Sequence, residues 1–581
     1  MKLSAAAAFA VLVLGSASAA ESDSLDAIIS DHWAWTLEEN PTLATTLGVR
    51  DFDDRLDDPS LAAYEAGVAA EAQFLRRLDA LDRGVLSEGE RLNYDLLALD
   101  LRNDVEAAKF GGKYLAITNR AGPHTFIAGL ADDLPFFTKA DYESYVTRLA
   151  VVPSYIDATI ARLVAGVEAG WTQPCEAMTG YEQTIRFHVV DKAADSALMK
   201  PFRSKPAAIS DRDWKKLKAS AESAVTKRAV PAIAKFADFY ETTYKPACRT
   251  TIGASSLPDG AAYYAFRARR FTTTDMAPDE IHALGLKEVA RIRKEMDATI
   301  KSVKFDGDFK AFQEFLRTDP RFYAKTPEEL MEKNSLVAKR IDGELPKLFT
   351  RLPRMPYTLK EIPADIAEGT TTAYYERPAG DGSKAGVYRV NTSRLETRPL
   401  YEIEALTLHE AVPGHHFQIA LAQELDLPNF RKFGGLTAFV EGWGLYAESL
   451  GLDVGFYSDP YANFGRLSYE MWRACRLVVD TGMHAKGWSR RQAIDFMKEN
   501  TALSEHNIEA EVDRYIAWPG QALAYKIGQL KFLELRRRAA KELGSRFDLR
   551  RFHDAVLEDG ALPLSLVEAK IDRWIKNERA R

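Results

Sequence analysis

Apolar residues return every three to four positions over most of the chain. Residues 61–81, 92–107, 142–169, 214–240 and 281–303 all carry this spacing, which gathers their apolar side chains on one face of a helix with 3.6 residues per turn. Pro278, followed by Asp279 and Glu280, reads as a helix start. A first-turn proline has no N–H to leave unpaired, and acidic residues suit the positive end of the helix dipole. Strand signals are sparse. The clearest are residues 370–377 and 386–391, separated by Pro378-Ala-Gly-Asp-Gly-Ser, which predict a β-hairpin. Strand 386–391 is either a cover on the core or an exposed edge to which a peptide main chain could add. A Pro, Gly and Ser cluster at 244–262 divides the chain into an N-terminal helical half, 21–250, and a C-terminal half, 251–581. The prediction is a mainly α fold with one small sheet.

The first twenty residues follow a different pattern. Met1-Lys2 precedes an apolar run from Ala5 to Leu14, and Ala17-Ser18-Ala19 is a small-residue cleavage pattern. Together they read as a signal peptide over residues 1–20. The run is about half the ~20 residues needed to span a bilayer, so the expectation is a periplasmic or secreted protein without a membrane span. Cys175 and Cys248 lie in proline-containing segments and could pair in an oxidising compartment. Cys475 sits in an apolar helical pattern and is expected as a buried thiol.

Composition narrows the partners. The 581 residues are 46% hydrophobic and 28% charged, with a net charge of −7 and no long run of one sign. A nucleic-acid surface and a polybasic membrane patch are both disfavoured.

Candidate chemistry concentrates in Leu408-His409-Glu410-Ala411-Val412-Pro413-Gly414-His415-His416. In the zinc-peptidase motif H-E-x-x-H, two His one turn apart hold Zn²⁺ and the Glu activates water. Here Pro413 occupies the place of the second His. On an unbroken helix His416 would sit ~10 Å along the axis from His409, too far for two nitrogens each ~2.0–2.1 Å from one ion. Pro413 cannot donate to the carbonyl of His409, and Gly414 relaxes the backbone beside it. A bulge or break there would return a later His toward His409; His415 is preferred and His416 is the alternative. Glu441 and Glu448 fall seven apart on one face of an apolar helix. Glu441 is expected as the third ligand and Glu448 as the support that orients a His.

The run 409–418, with Phe439-Val-Glu-Gly-Trp-Gly, Arg514-Tyr-Ile-Ala-Trp-Pro-Gly-Gln-Ala, Tyr263-Tyr264, Thr272-Thr-Thr and Pro278-Asp-Glu-Ile-His282, resembles the family known as domain of unknown function 885. The resemblance extends over nearly all of the mature chain. That family is similar to the Taq-type zinc carboxypeptidases and other gluzincins. It therefore implies a multi-helix, gluzincin-like metallopeptidase fold with a central cleft and a carboxypeptidase-like habit.

The leading expectation is a secreted zinc peptidase that acts on peptide substrates. One Zn²⁺ would be held by His409, His415 and Glu441, with Glu410 as general base. Tyr525, read as two turns into a helix opened by Pro519, is the chosen oxyanion donor, with Tyr515 nearby. Arg473, Arg476 and Arg514 are candidates to bind a substrate carboxylate. An ion pair between Arg476 and Asp480, four residues apart, competes for the second of these arginines. His484 is read as a helper or a helix-end cap. Two other functions fit the motif: a metal hydrolase of a non-peptide amide or ester, and a non-catalytic periplasmic binding protein with a structural metal. The intact Glu410 favours catalysis, because a structural site needs no base.

Overall fold

Capping residues fix where the helices begin. The Ser87 hydroxyl accepts from the Glu90 N–H, and the Glu90 carboxylate accepts from the Ser87 N–H at 2.8 Å. This reciprocal pair opens helix Glu88–Ala107. Pro278 is the first residue of Pro278–Ser302, as its sequence context predicts. The computed structural model describes residues 24–368 and 370–581, so the expected leader lies outside the described residues. With 70% helix and 3% strand, the fold is mainly α. Helices Leu61–Asp79, Glu88–Ala107 and Lys139–Glu168 match the apolar periodicity. The expected 214–240 helix continues from Asp211–Ala224 to Val230–Phe239 through a π-helical turn.

The apolar interior has two main clusters. The larger joins Leu25, Leu97 and Leu101 to Met296, Trp443 and Tyr515. The second takes residues between Ile117 and Tyr244, among them Tyr145, Ile156 and Phe236. Helix Lys139–Glu168 is long and apolar enough to cross a membrane by composition, and its Tyr145, Leu149, Val152 and Ile156 are buried in this second cluster. A disulfide between Cys175 and Cys248 ties off this part of the chain beside the Pro174–Arg249 bridge. Cys475 is a buried free thiol. Both cysteine expectations are met.

The sheet has three strands, β1 (Tyr357–Glu361), β2 (Ala373–Glu376) and β3 (Gly386–Val390), in the order β1-β3-β2. β2 and β3 form the expected antiparallel hairpin, while β1 pairs with β3 in parallel. β3 is therefore the central strand, and the edge role considered for residues 386–391 passes to β2. Only five residues long and flanked by Pro356 and Pro363, β1 gives little sequence signal.

Seven helices matter for the site: α1 (Pro278–Ser302), α2 (Ile403–Glu410), α3 (His415–Gln423), α4 (Thr437–Leu450), α5 (Pro460–Ala485), α6 (Glu505–Ala517) and α7 (Ala524–Leu543). α4 and α7 touch backbone to backbone. A Cβ on Gly442 would stand 2.5 Å from Gly528 Cα, so neither position has room for a side chain. A buried charge cluster joins α7 to two more helices. Lys526, 0% exposed, bonds Glu470 of α5 at 2.7 Å and pairs with Glu288 of α1 at 3.2 Å.

Substitution and acid titration test this packing. Gly442→Ala should destabilise the fold by about 1–3 kcal/mol through overpacking. Gly67→Ala, on a helix with nothing within 4 Å of the added carbon, should stabilise it by up to ~1 kcal/mol; denaturation midpoints read both signs. Burial opposes the charge on Glu470, but Lys526 and Arg291 outweigh it and lower its pKa from 4.5 to about 2. That carboxylate's stabilisation is complete above pH 4.5 and lost as the pH falls toward 2. Over this window the midpoint should fall more steeply for the wild type than for Glu470→Gln.

Candidate metal centre

The backbone breaks where the sequence says it must. α2 ends at Glu410 and α3 begins at His415, because Pro413 cannot supply the next helical N–H. Gly414 passes so close to the freed carbonyl that a Cβ would lie 1.9 Å from the His409 oxygen. The Trp443 indole N–H donates to the Pro413 carbonyl at 2.8 Å and fixes the turn to α4. A full break, rather than a bulge in one helix, brings His415 back to His409. Their rings lie 4.7 Å apart at 88°.

Both imidazoles face one carboxylate. His409 Nε2 and His415 Nε2 stand 3.7 and 3.3 Å from Glu441 Oε2. One ligand atom from each residue lies within 4.8 Å of the other two. Two ligands of a tetrahedral zinc ion are roughly 3–3.5 Å apart, so the three side chains fit such an ion with small adjustments. Glu441 Oε2 is buried without a hydrogen-bond partner, a deficit that a cation would relieve.

The residues behind them set their protonation. Glu448 Oε1 accepts from His409 Nδ1 at 2.8 Å, which leaves Nε2 pointed at Glu441. Arg473 stands 3.4 Å from the same Glu448 oxygen and balances its charge. Burial opposes protonation of His409, but Glu441 and Glu448 overcome it and raise its pKa to about 9 in the absence of a metal. Burial likewise opposes ionisation of Glu441, and the two histidines override it and hold the carboxyl well below its ordinary range.

His416 is excluded as a ligand. Its Nε2 donates to the Met355 carbonyl at 2.9 Å and its Nδ1 accepts from the Tyr375 hydroxyl at 2.8 Å. Both nitrogens are spent, and burial lowers its pKa to about 4.

The cluster opens into a cavity of about 260 Å³ that Glu410 and Tyr525 also line. Arg473, Arg476 and Arg514 form part of its wall, and Thr371, Ala373 and Tyr375 bring the β2 side of the sheet to it. A larger open groove of about 560 Å³ near Arg321 and Leu336 lies apart from these residues.

Several neighbours differ from expectation. Gly520 is left-handed and its N–H meets the Asp480 carboxylate, so the chain turns after Pro519 and α7 starts only at Ala524. Tyr525 is thus in the first turn, stacked 6.4 Å from the His409 ring. Arg476 pairs with Glu511 at 3.0 Å instead of Asp480, which accepts from Tyr264 at 2.6 Å. His484 braces two backbones, accepting from Ala254 N–H and donating to the Tyr515 carbonyl. The Tyr515 hydroxyl serves Glu511. Glu511 and Arg120 also line the cavity, and the sequence reading singles out neither. The spacing of Glu511 three before Arg514 on α6 is the available signal; Arg120 offers none.

Comparison with curated proteins gives no match. The solved structures that share the fold include two described as lipoproteins. One is described as "the putative lipoprotein from Colwellia psychrerythraea", with TM-score 0.90 and 27% identity over 96% of this chain and 99% of that one. The other is "a putative lipoprotein of unknown function from Shewanella oneidensis", with TM-score 0.67 and 18% identity over 94% and 99%. The family match covers residues 41–571, and the chain belongs to the bacterial proteins of unknown function gathered as DUF885.

Proposed function

We propose that the protein is a zinc-dependent peptidase that works outside the cytoplasm. One observation carries the reading: His409, His415 and Glu441 converge at the wall of a cavity that Glu410 also lines. Two imidazoles and one carboxylate suit zinc and leave a position open for catalysis. The ion would supply Lewis acidity, acidifying a water molecule and polarising a substrate carbonyl.

The chain's own residues supply the rest. Glu410 takes a proton from the attacking water and returns it to the leaving nitrogen. The Tyr525 hydroxyl donates to the substrate oxygen as charge gathers there. Glu448 keeps His409 in the tautomer whose Nε2 faces the cluster. β2, an edge of the sheet beside the cavity, offers main-chain groups to an extended peptide. The disulfide Cys175–Cys248 and the leader-like first twenty residues support export to an oxidising compartment such as the periplasm. The lipoprotein descriptions of the two structural neighbours agree with that location. On this reading the cavity between helical segments would take the place of the cleft expected from the motif's resemblance to Taq-type zinc carboxypeptidases and other gluzincins.

Metal analysis of the mature protein should find about one zinc per chain. His415→Ala should abolish binding and His416→Ala should retain it. Absence of bound metal, even after zinc titration, would overturn the reading. Glu410→Gln should keep the metal while peptide cleavage drops by about 10²–10⁴-fold; unchanged cleavage would remove Glu410 from the role of base.

A further inference from the structure

The segment leading into α2 borders a second, smaller cavity of about 140 Å³, whose wall includes Thr397, Pro399, Tyr401 and Glu402. Arg398, between the first two in the chain, is 3% exposed and pairs with no carboxylate among the described residues. Its Nε and Nη2 are buried without a hydrogen-bond partner. These are the two donors on one edge of the guanidinium plane, the edge that grips a carboxylate through parallel N–H bonds. Three other arginines of this chain use that edge in full. Nε and Nη2 of Arg83 bond Asp95 at 2.7 and 2.6 Å, those of Arg186 bond Glu241 at 2.9 and 2.9 Å, and those of Arg490 bond Asp513 at 2.6 and 3.0 Å. At Arg398 the same edge is buried, and no described side chain meets it.

The neighbours do not supply the missing charge. Glu402 is buried with Oε1 unpaired, and burial raises its pKa to about 8 against the pull of Tyr469, Arg398 and Arg473. It is therefore protonated and uncharged at neutral pH. The buried hydroxyls of Tyr401 and Tyr469 also lack partners. Glu396 lines the cavity from an exposed position, where solvent and salt screen its charge. Elsewhere on the wall, Arg317 bonds the Leu503 and Thr501 carbonyls at 3.2 and 3.0 Å and has no carboxylate of its own among the described residues. Ser504 caps the N-terminus of α6 at the same cavity, and the first N–H groups of that helix add positive potential. The surroundings are rich in donors and poor in acceptors, and a buried cation without a partner is costly.

We infer that Arg398 and the cavity beside it bind a small planar oxyanion, a free carboxylate or bicarbonate, at a site separate from the metal centre. The inference goes beyond the peptidase reading and does not depend on it. A planar pair of oxygens matches the edge formed by Nε and Nη2, whereas a spherical ion uses it poorly. A single negative charge balances the one buried guanidinium. A cavity of about 140 Å³, roughly half the volume of the one at the metal centre, suits an ion of a few heavy atoms. Glu402 leads directly into α2, so the bound anion ties down the foot of the helix that carries His409 and Glu410. Its occupancy stabilises the native fold by mass action.

The test titrates formate, acetate and bicarbonate separately into the full mature chain at pH 7, with sodium chloride holding the ionic strength constant, and follows both heat and the thermal midpoint. At least one of the three should bind saturably and raise the midpoint; whether an organic acid or bicarbonate binds more tightly identifies the source. Arg398→Lys, which keeps the charge and removes the fork, should weaken that binding at least about tenfold. Tyr401→Phe, which deletes one unpaired buried oxygen, should weaken it severalfold and decides the matter if Arg398→Lys misfolds. His415→Ala, which loses the metal on the peptidase reading, should bind the anion as the wild type does. Loss of binding in His415→Ala with retention in Arg398→Lys would put the anion on the metal and overturn the inference. Equal affinity in the wild type and both cavity variants, or no binding of any of the three anions, would overturn it as well.

Discussion

A backbone amide that proline cannot provide organises the centre of this molecule. The helix through His409 and Glu410 loses its next hydrogen bond at Pro413, and Gly414 lets the chain fold back over the open carbonyl. Everything assigned to the site depends on that reversal. Without it, His415 would point along a continuing helix, Glu441 would face one imidazole instead of two, and the carboxylate would have no reason to stay charged in a buried place. The same interruption commits His416 to Tyr375 and Met355, so two adjacent histidines take opposite roles.

Much of this was legible in the residues. Apolar spacing marked the main helices, Pro413-Gly414 marked the interruption, and the seven-residue interval between Glu441 and Glu448 put both carboxylates on one face. These signals are local, and local geometry decided the outcome. What escaped detection depended on distant contacts. β1 pairs with a strand more than twenty residues ahead, and Arg120 approaches Glu511 across 391 positions. The expected pair of Arg476 with Asp480 had the right spacing and failed for the same reason. Tyr264 and Gly520, both far along the chain, claimed Asp480, and α6 brought Glu511 to Arg476. Tyr525 reaches the cavity although its helix starts five residues later than Pro519 implies, because the left-handed turn at Gly520 still delivers it there.

Charge is distributed unevenly across the cavity. The histidine side has Glu410 and Glu441, with Glu448 behind His409 and paired with Arg473. The opposite side has three arginines around Glu511. The histidine cluster and the arginines face the same 260 Å³, with the Tyr525 ring 6.4 Å from that of His409 and 4.3 Å from the Arg476 guanidinium carbon. Such polarity orients a bound molecule before any side-chain pocket reads it.

The contact between Gly442 and Gly528 has a further meaning for this layout. α4 carries Glu441 and Glu448, α7 carries Tyr525, and no side chain stands between the two backbones at their closest approach. Side-chain spacers hop between rotamers and transmit that motion to whatever they separate, whereas two abutting main chains have no such freedom. The gap between the Glu441 carboxylate and the Tyr525 phenol is consequently gauged by peptide thickness, like a machined shim, and thermal noise in the surrounding core has little leverage on it.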